Sequence, residues 1–384
     1  MKYGVIAHKT TMNLGDDIQT YAAAKLLPSV DYILPREKLD SFKSENNEPV
    51  ATVMNAWWMW QKWNWPPAES IYPLMTSIHI NDYGIFDRGT PVKTRWLEGI
   101  GGDYFRSYGP VGCRDTTTIE LLKEKGIEGY FSGCLTLTIP KQKKTKDAGE
   151  YVCLVDLNPQ IEAKAREYLK DTGLKIKVFS HRCDYRNSDA TLEERFETVE
   201  EFLTEYQNAK MVITRRLHVS LPCLALETPV VSLVDMSNKG NVTRWAPYTD
   251  WVEYISNKDF LANNFEYDFN NPKPNRKDYL PTREFLLKQV SDFVEQTKNV
   301  TVTTEELKKT KYTEFEAKTW RDNLKDWTLE EWLHKNRKLL TQKNKLAAEV
   351  KDLKEKLKNS GVELKKEKKK SKSFMSRVIR KLKK

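Results

Sequence analysis

The chain has 384 residues, 11% of them aromatic, and a formal net charge of +10. That length predicts two globular domains rather than one, and an aromatic content that includes 11 Trp excludes a disordered chain. The charge is local: residues 363–384 hold eleven Lys/Arg against two Glu, so the first 362 residues are close to neutral and charge excludes the body as a nucleic-acid surface.

The first expected element is a buried strand over residues 2–7, with no signal peptide before it. A polar loop from Thr10 to Asp16 follows, then a helix over 17–27. Short strands are expected at 32–34, 50–55 and 77–81, helices at 92–100 and 116–125, and a strand at 129–132. Residues 141–150 are polar and aperiodic, which places a domain boundary there. Beyond it the β/α rhythm is clearer: strands at 151–156, 175–180, 211–214 and 230–234, with helices at 160–172, 192–207 and 216–226 and a further helix at 283–296. Such alternation predicts parallel sheets covered on both faces, that is, two doubly wound Rossmann-like α/β domains over 1–145 and 146–300 with a ligand cleft at the strands' carboxyl ends.

Residues 301–384 are expected to form a helical tail. Trp332, Leu339, Leu346 and Leu353 recur every seven residues, which predicts a short, imperfect coiled coil, and with it a homodimer, or a helix packed on the body. Between Ser373 and Leu382 the residues Phe374, Met375, Val378, Ile379 and Leu382 share one helical face opposite Arg and Lys, a pattern suited to an anionic membrane surface. No run of about 18 apolar residues occurs to span a bilayer. The five cysteines, Cys113, Cys134, Cys153, Cys183 and Cys223, are scattered and never spaced as CxxC. They read as reduced thiols of a cytoplasmic protein, with neither a disulfide framework nor a zinc site. The five His are dispersed in sequence and suggest no metal site.

Three motifs carry candidate chemistry. In Asn13-Leu14-Gly15-Asp16-Asp17-Ile18-Gln19, Gly15 permits close approach to a ligand and Asn13 or Asp16 caps a helix whose free N–H groups could bind an anion; spacing alone favours an ordinary capped turn. In Gly112-Cys113-Arg114-Asp115-Thr116, Arg114 projects from a strand end, and an anion-binding fork and a surface ion pair with Asp115 are equally compatible with the composition. In Met211-Val212-Ile213-Thr214-Arg215-Arg216-Leu217-His218, an apolar strand ends in two Arg and a His before an apolar helix, an arrangement costly to bury without an anionic partner. Trp57, Trp58, Trp60, Trp63 and Trp65 crowd one stretch; this is core by default and an alternative platform for a sugar ring.

Taken in order, Asn13-x-Gly15-Asp16-x-x-Gln19, Gly112-x-Arg114-Asp115-x-x-Thr118 and Arg216-Leu217-His218 resemble the signature of the polysaccharide pyruvyl transferase family, over residues 1–290. The resemblance implies a fold like the two-domain GT-B glycosyltransferases. It also implies transfer of the carboxyvinyl unit of phosphoenolpyruvate (PEP) onto two hydroxyls of a sugar, leaving a pyruvate ketal, in surface polysaccharide (exopolysaccharide) biosynthesis. It implies no cofactor beyond PEP as donor, and a saccharide acceptor that could be carried on a lipid at the inner membrane face. Onto this sequence it carries Arg114 and Arg216 as binders of the PEP anion, with Leu217 lining the pocket and Asn13, Gly15 and Gln19 on the substrate side. His218 becomes the acid that protonates the enol carbon, and Asp16 or Asp115 orients it or deprotonates the acceptor. One turn departs from the pattern: Ser132-Gly133-Cys134-Leu135 stands where many members carry Thr-Gly-Asp-Pro, so no acidic role falls there. The competing readings are a nucleotide-sugar glycosyltransferase of the GT-B kind and a non-catalytic scaffold docked on membranes.

Overall fold

The computed structural model describes residues 1–8, 11–80, 92–183, 189–237 and 239–359. Thr10, Asn81 and the basic segment with its amphipathic face at 373–382 lie outside the described residues. The chain gathers into two compact units, Met1–Asp322 and a second that begins at Asn323.

The first unit opens with β1 (Lys2–Ala7), α1 (Leu14–Ala24), β2 (Tyr32–Pro35), β3 (Val50–Val53), β4 (Trp57–Trp58), β5 (Ile71–Leu74) and β6 (His79–Ile80). It continues with α2 (Val92–Arg95), α3 (Gly99–Tyr108), β7 (Val111–Cys113), α4 (Thr116–Glu124) and β8 (Gly129–Phe131). Four strands pair in parallel in the order β2-β1-β3-β5, and β4-β6 and β7-β8 form further parallel pairs. Gly112 N–H donates to Met75 O (2.9 Å) and Arg114 N–H to Ile78 O (3.0 Å), so β7 runs beside the chain that leaves β5. Nearly every residue of β1, β3 and β7 is buried, as continuous apolar runs require when a parallel sheet is covered on both faces.

A second sheet follows from β9 (Tyr151–Val155), α5 (Pro159–Leu169), β10 (Lys175–Phe179), α6 (Leu192–Asn208), β11 (Met211–Thr214), α7 (Leu217–Leu226), β12 (Val230–Val234), α8 (Lys239–Trp245) and β13 (Glu253–Ser256). It is parallel throughout, in the order β10-β9-β11-β12-β13. After it come α9 (Asn257–Ala262), α10 (Leu280–Thr297), α11 (Thr304–Leu307) and α12 (Glu314–Asn359). The fold is thus mixed α/β with parallel sheets of Rossmann-like winding and a helical C-terminal region.

Several expectations are corrected. The helix expected from residue 17 begins at Leu14, because Asn13 caps it through a bond from Gly15 N–H. The helix expected over 92–100 is two helices: Gly99 takes φ +44°, a left-handed conformation, and restarts the chain as α3. β5 was not expected, since Pro73 sits inside it, yet the strand pairs in register with β3 (Thr52 with Pro73). β13, an edge strand of four residues, was also not expected. The tail helix is longer than its heptad stretch, 46 residues, and Trp332, Leu339, Leu346 and Leu353 on it are exposed. Among the described residues no helix is long and apolar enough to cross a membrane.

One apolar cluster ties both sheets of the first unit together. It runs from Val5 and Ile18 through Leu135 and Leu137 to Leu221, Leu224, Leu286 and Val290. α7 is its hub: every residue from Leu217 to Leu226 is buried, so the helix is apolar all round rather than amphipathic. α10 contributes a single face, Leu286, Val290 and Phe293. Replacing Leu286 by Ala is expected to cost about 2–5 kcal/mol, whereas Ala at exposed Glu284 costs about 0.5 kcal/mol or less. Urea unfolding of the two variants checks whether α10 belongs to the core.

Candidate functional site

The carboxyl ends of the strands deliver the polar groups. His8 follows β1, Arg36 follows β2, Arg114 follows β7, Asp156 follows β9, His181 and Arg182 follow β10, and Arg216 caps α7 after β11. Parallel sheets place ligands at these ends.

His218, the second residue of α7, is 5% exposed and departs from helical geometry at φ −82°, ψ 22°. The cause lies one turn on. Pro222 has no N–H to donate to the His218 carbonyl, and its ring crowds that carbonyl, so the helix opens there. Gly15 lies against the imidazole: a Cβ on it would stand 3.0 Å from His218 Nδ1.

Arg114 Nη1 donates to His218 Nε2 (3.1 Å) and to the Gln19 side-chain oxygen. A guanidinium has no acceptor, so Nε2 must accept and the imidazole is neutral. Burial first, then the charges of Arg114 and Arg244, hold the His218 pKa well below its usual value. Arg114 is itself 1% exposed. Tyr248 OH donates to the Arg114 carbonyl, while Arg114 Nη2 has no hydrogen-bond partner among the described residues. Gln19 Nε2 turns back to Asp16 Oδ1 (3.4 Å) and Gly15 O (3.2 Å), and the Thr11 hydroxyl donates to Asp16 Oδ2. A continuous chain therefore links His218 through Arg114 and Gln19 to Asp16.

Asp16 lines an open cleft of about 390 Å³ together with Thr11, Met12, Asn13, Arg36, Trp60, Arg182 and Arg216. Arg216 is half-exposed and donates through Nε to Asp156 Oδ2 (2.8 Å). Asp156 takes φ 52°, in the left-handed region. Its carboxylate also accepts from Ser180 Oγ (2.8 Å) and His181 N–H (3.1 Å). Burial opposes its ionisation, but Arg216 and these bonds outweigh that and hold its pKa below the usual carboxylate value.

The structure brings together His218, Arg114, Gln19, Gly15 and Asp16, with Asn13 and Arg216 on the same cleft as Asp16. Leu217 is buried in the apolar cluster. Asp115 is placed elsewhere. It caps α4 through Thr118 N–H (2.8 Å), and its other oxygen meets His79 Nδ1 at 2.6 Å, both side chains being 1% exposed. Burial lowers the His79 pKa to about 4 against the pull of Asp115, so at neutral pH a neutral ring donates to the carboxylate. The α1 N-terminus is the capped turn that spacing favours rather than an anion site: Leu14 N–H bonds His181 O, Gly15 N–H bonds the Asn13 side chain and Asp16 N–H bonds Asn13 O. Cys134 is buried and accepts from Thr136 Oγ1 (3.3 Å). Trp65 is core, stacked on Phe105, whereas Trp60 is 43% exposed at the cleft. Among the described residues no cluster of His, Cys, Asp or Glu is arranged to hold a metal.

Sequence reasoning did not single out Arg36, Arg182, Asp156 or His79. The signal for the first three was their position at or just beyond the end of an expected strand.

A family model described as polysaccharide pyruvyl transferase matches residues 13–235. Comparison with curated proteins returns no match. Among solved structures, the S. aureus MnaA-UDP co-structure is similar at 11% identity and a TM-score of 0.31, over 79% of this chain and 99% of that one.

The link through Gln19 yields a test. Gln19→Met removes the acceptor from Arg114 and is expected to cost about 1–3 kcal/mol, the penalty for stranding a buried charged donor. In a double-mutant cycle with Arg114→Met the two losses should fall well short of additive; additive losses in urea unfolding would show that the two side chains are not coupled.

Proposed function

We propose, since the chain belongs to the polysaccharide pyruvyl transferase family and is therefore a transferase acting on a saccharide, that it moves the pyruvyl unit of PEP onto a pair of sugar hydroxyls. The two parallel sheets then serve as a GT-B-like pair of domains, divided near residue 145, with the segment from residue 301 outside the catalytic body. The observation that carries the reading is the buried contact of Arg114 with His218, beside a cleft that holds Arg216.

Among the described residues this buried guanidinium leaves Nη2 unpartnered and has no carboxylate bonded to it, which suits an anionic ligand. PEP supplies a phosphate and a carboxylate, each matched by a guanidinium fork. Arg114 is bonded to the His218 ring, and Arg216 stands two residues before His218 in the chain and lines the cleft.

Arrival of that anion changes the acid. In the free protein His218 is neutral and has no surplus proton to give. A phosphate beside Arg114 offsets the guanidinium charge and raises the imidazole pKa, so binding takes up a proton. The imidazolium then delivers this proton to the PEP methylene carbon, and the double-bond electrons form the new C–H bond. The adjacent carbon becomes oxocarbenium-like, and an acceptor hydroxyl adds to it while losing its proton to a base. Inorganic phosphate then departs, taking the proton held by the base, and the second hydroxyl adds to the oxocarbenium-like carbon and passes its proton to the now neutral His218, which completes the ketal. Asp16, at the cleft wall and joined to Arg114 through Gln19, suits the base; Asp115 acts at a distance, fixing the chain that follows Arg114.

Calorimetric titration with PEP and a phosphate-release assay on a panel of glycans test the reading. Wild type should bind PEP, Arg216→Ala should lose roughly tenfold or more in affinity, the value of a charge-assisted bond, and His218→Gln should bind PEP yet release no phosphate. Wild type should also take up more protons on binding than His218→Gln, measured in buffers of different ionisation enthalpy. Absence of PEP binding in wild type, with and without glycans, would refute the donor assignment.

A further inference from the structure

Among the described residues the second unit consists of α12 from Asn323 onward. Along it Leu329, Trp332, Leu339, Leu346 and Leu353 are each at least 42% exposed. A contiguous row of large apolar side chains left in water marks an interaction surface. The row is a narrow seam. With Asn336 at heptad position a, the a positions are Leu329, Asn336, Lys343 and Val350, and the d positions are Trp332, Leu339, Leu346 and Leu353. A straight α-helix drifts about 20° per heptad from a seven-residue repeat, so this row would wind off a flat surface but stays on the seam of a supercoiled helix pair.

Two features fit a copy of the same helix as the partner. In a parallel, in-register pair each a residue meets its own counterpart, so one Asn336 amide donates to the other. An antiparallel pair, which sets a against d, would place Asn336 against an apolar side chain and strand its amide. The flanks also agree. Each g residue faces the e residue of the next heptad on the other helix: Lys335 meets Leu340, Gln342 meets Ala347 and Glu349 meets Lys354. Glu349 and Lys354 therefore attract twice by symmetry, and no like charges face each other at these positions. Two groups oppose the pairing. Lys343 meets its counterpart on the seam, where its methylene stem packs and its ammonium reaches out to water. The basic residues 363–384 follow the seam at the same end in both copies, a repulsion that salt screens over about 8 Å at physiological strength.

We propose that α12 pairs with α12 of a second copy of this chain as a parallel, two-stranded coiled coil over residues 329–356, so that the protein is a homodimer. The exposed d residues become its buried seam, Asn336 sets its register and orientation, and the Glu349–Lys354 pairs flank it. The pairing stands apart from the pyruvyl-transfer reading: it uses no residue of the cleft, and either can fail without the other.

Sedimentation equilibrium of the full chain, at micromolar concentration and physiological salt, tests this. Wild type should show twice the mass of one chain. Leu346→Glu/Leu353→Glu should show the mass of one chain, and because both side chains are exposed the thermal unfolding of the α/β body should be retained. Glu349→Lys and Lys354→Glu should each weaken the dimer roughly two- to thirtyfold, the value of two exposed ion pairs. The two changes combined should restore it. Residues five apart do not face each other on one helix, so the rescue reports contact between chains. Leu346→Cys should cross-link the two chains under copper–phenanthroline oxidation, because d residues meet in a parallel pair. Ala348→Cys, on the outer face, should cross-link no more than wild type. A mass other than two chains for wild type overturns the proposal; if that mass is one chain and phosphatidylserine vesicles bind wild type but not Leu346→Glu/Leu353→Glu, the seam belongs to a lipid surface instead. A dimer that survives Leu346→Glu/Leu353→Glu, or one that Leu346→Cys fails to cross-link, also overturns it.

Discussion

A guanidinium buried against an imidazole is the constraint around which this site is built. Arg114 and His218 lie within hydrogen-bonding distance in the interior of the first unit, and among the described residues neither has a carboxylate bonded to it. Burying a cation costs several kcal/mol unless its N–H groups are satisfied. Here Gln19 and the imidazole nitrogen satisfy Nη1, while Nη2 has no partner among the described residues. The arrangement keeps the imidazole neutral while no anion offsets the guanidinium. On the proposed reading the acid becomes charged only when its substrate arrives.

The fold sustains this arrangement through elements with little freedom. α7 is buried on all sides, so its first turn cannot move without disturbing the apolar cluster. Pro222 opens that turn at His218, and Gly15 leaves room for the ring. On the other side, the Tyr248 hydroxyl holds the Arg114 carbonyl, and the Asp115–His79 pair fixes the next residue. Asp156 meanwhile spans from β9 to Arg216 and His181, so Arg216 and the α1 loop share one network.

Much of this is legible in the sequence, and the exceptions have physical reasons. β11 is bounded as expected and α7 within one residue, because an apolar run broken by Arg215-Arg216-Leu217-His218 has no other buried arrangement. The capping role of Asn13 was one of two options, and local geometry decided it. What the sequence hid is long-range. Asp156 looks like an ordinary strand end until a left-handed turn aims it at Arg216, sixty residues on. The α1 N-terminus reads as a capped turn, but nothing in its own residues shows that the His181 carbonyl takes its Leu14 N–H. Pro73 masks β5, and only the topology brings Arg36 and Arg182 to one cleft. Periodicity reports which face of an element is buried; it does not report which strand ends converge.

The central claim is that Arg114 holds His218 neutral until an anion binds. Nitrogen NMR of histidine-labelled protein, with His218 assigned from His218→Gln, measures it directly. In the free protein the His218 ring should remain neutral as the pH falls through the ordinary histidine range, about 6.5, with Nε2 as the acceptor. With saturating PEP its titration should move up into or above that range. Ordinary titration near that value in the free protein, or no change on adding PEP, would contradict the account.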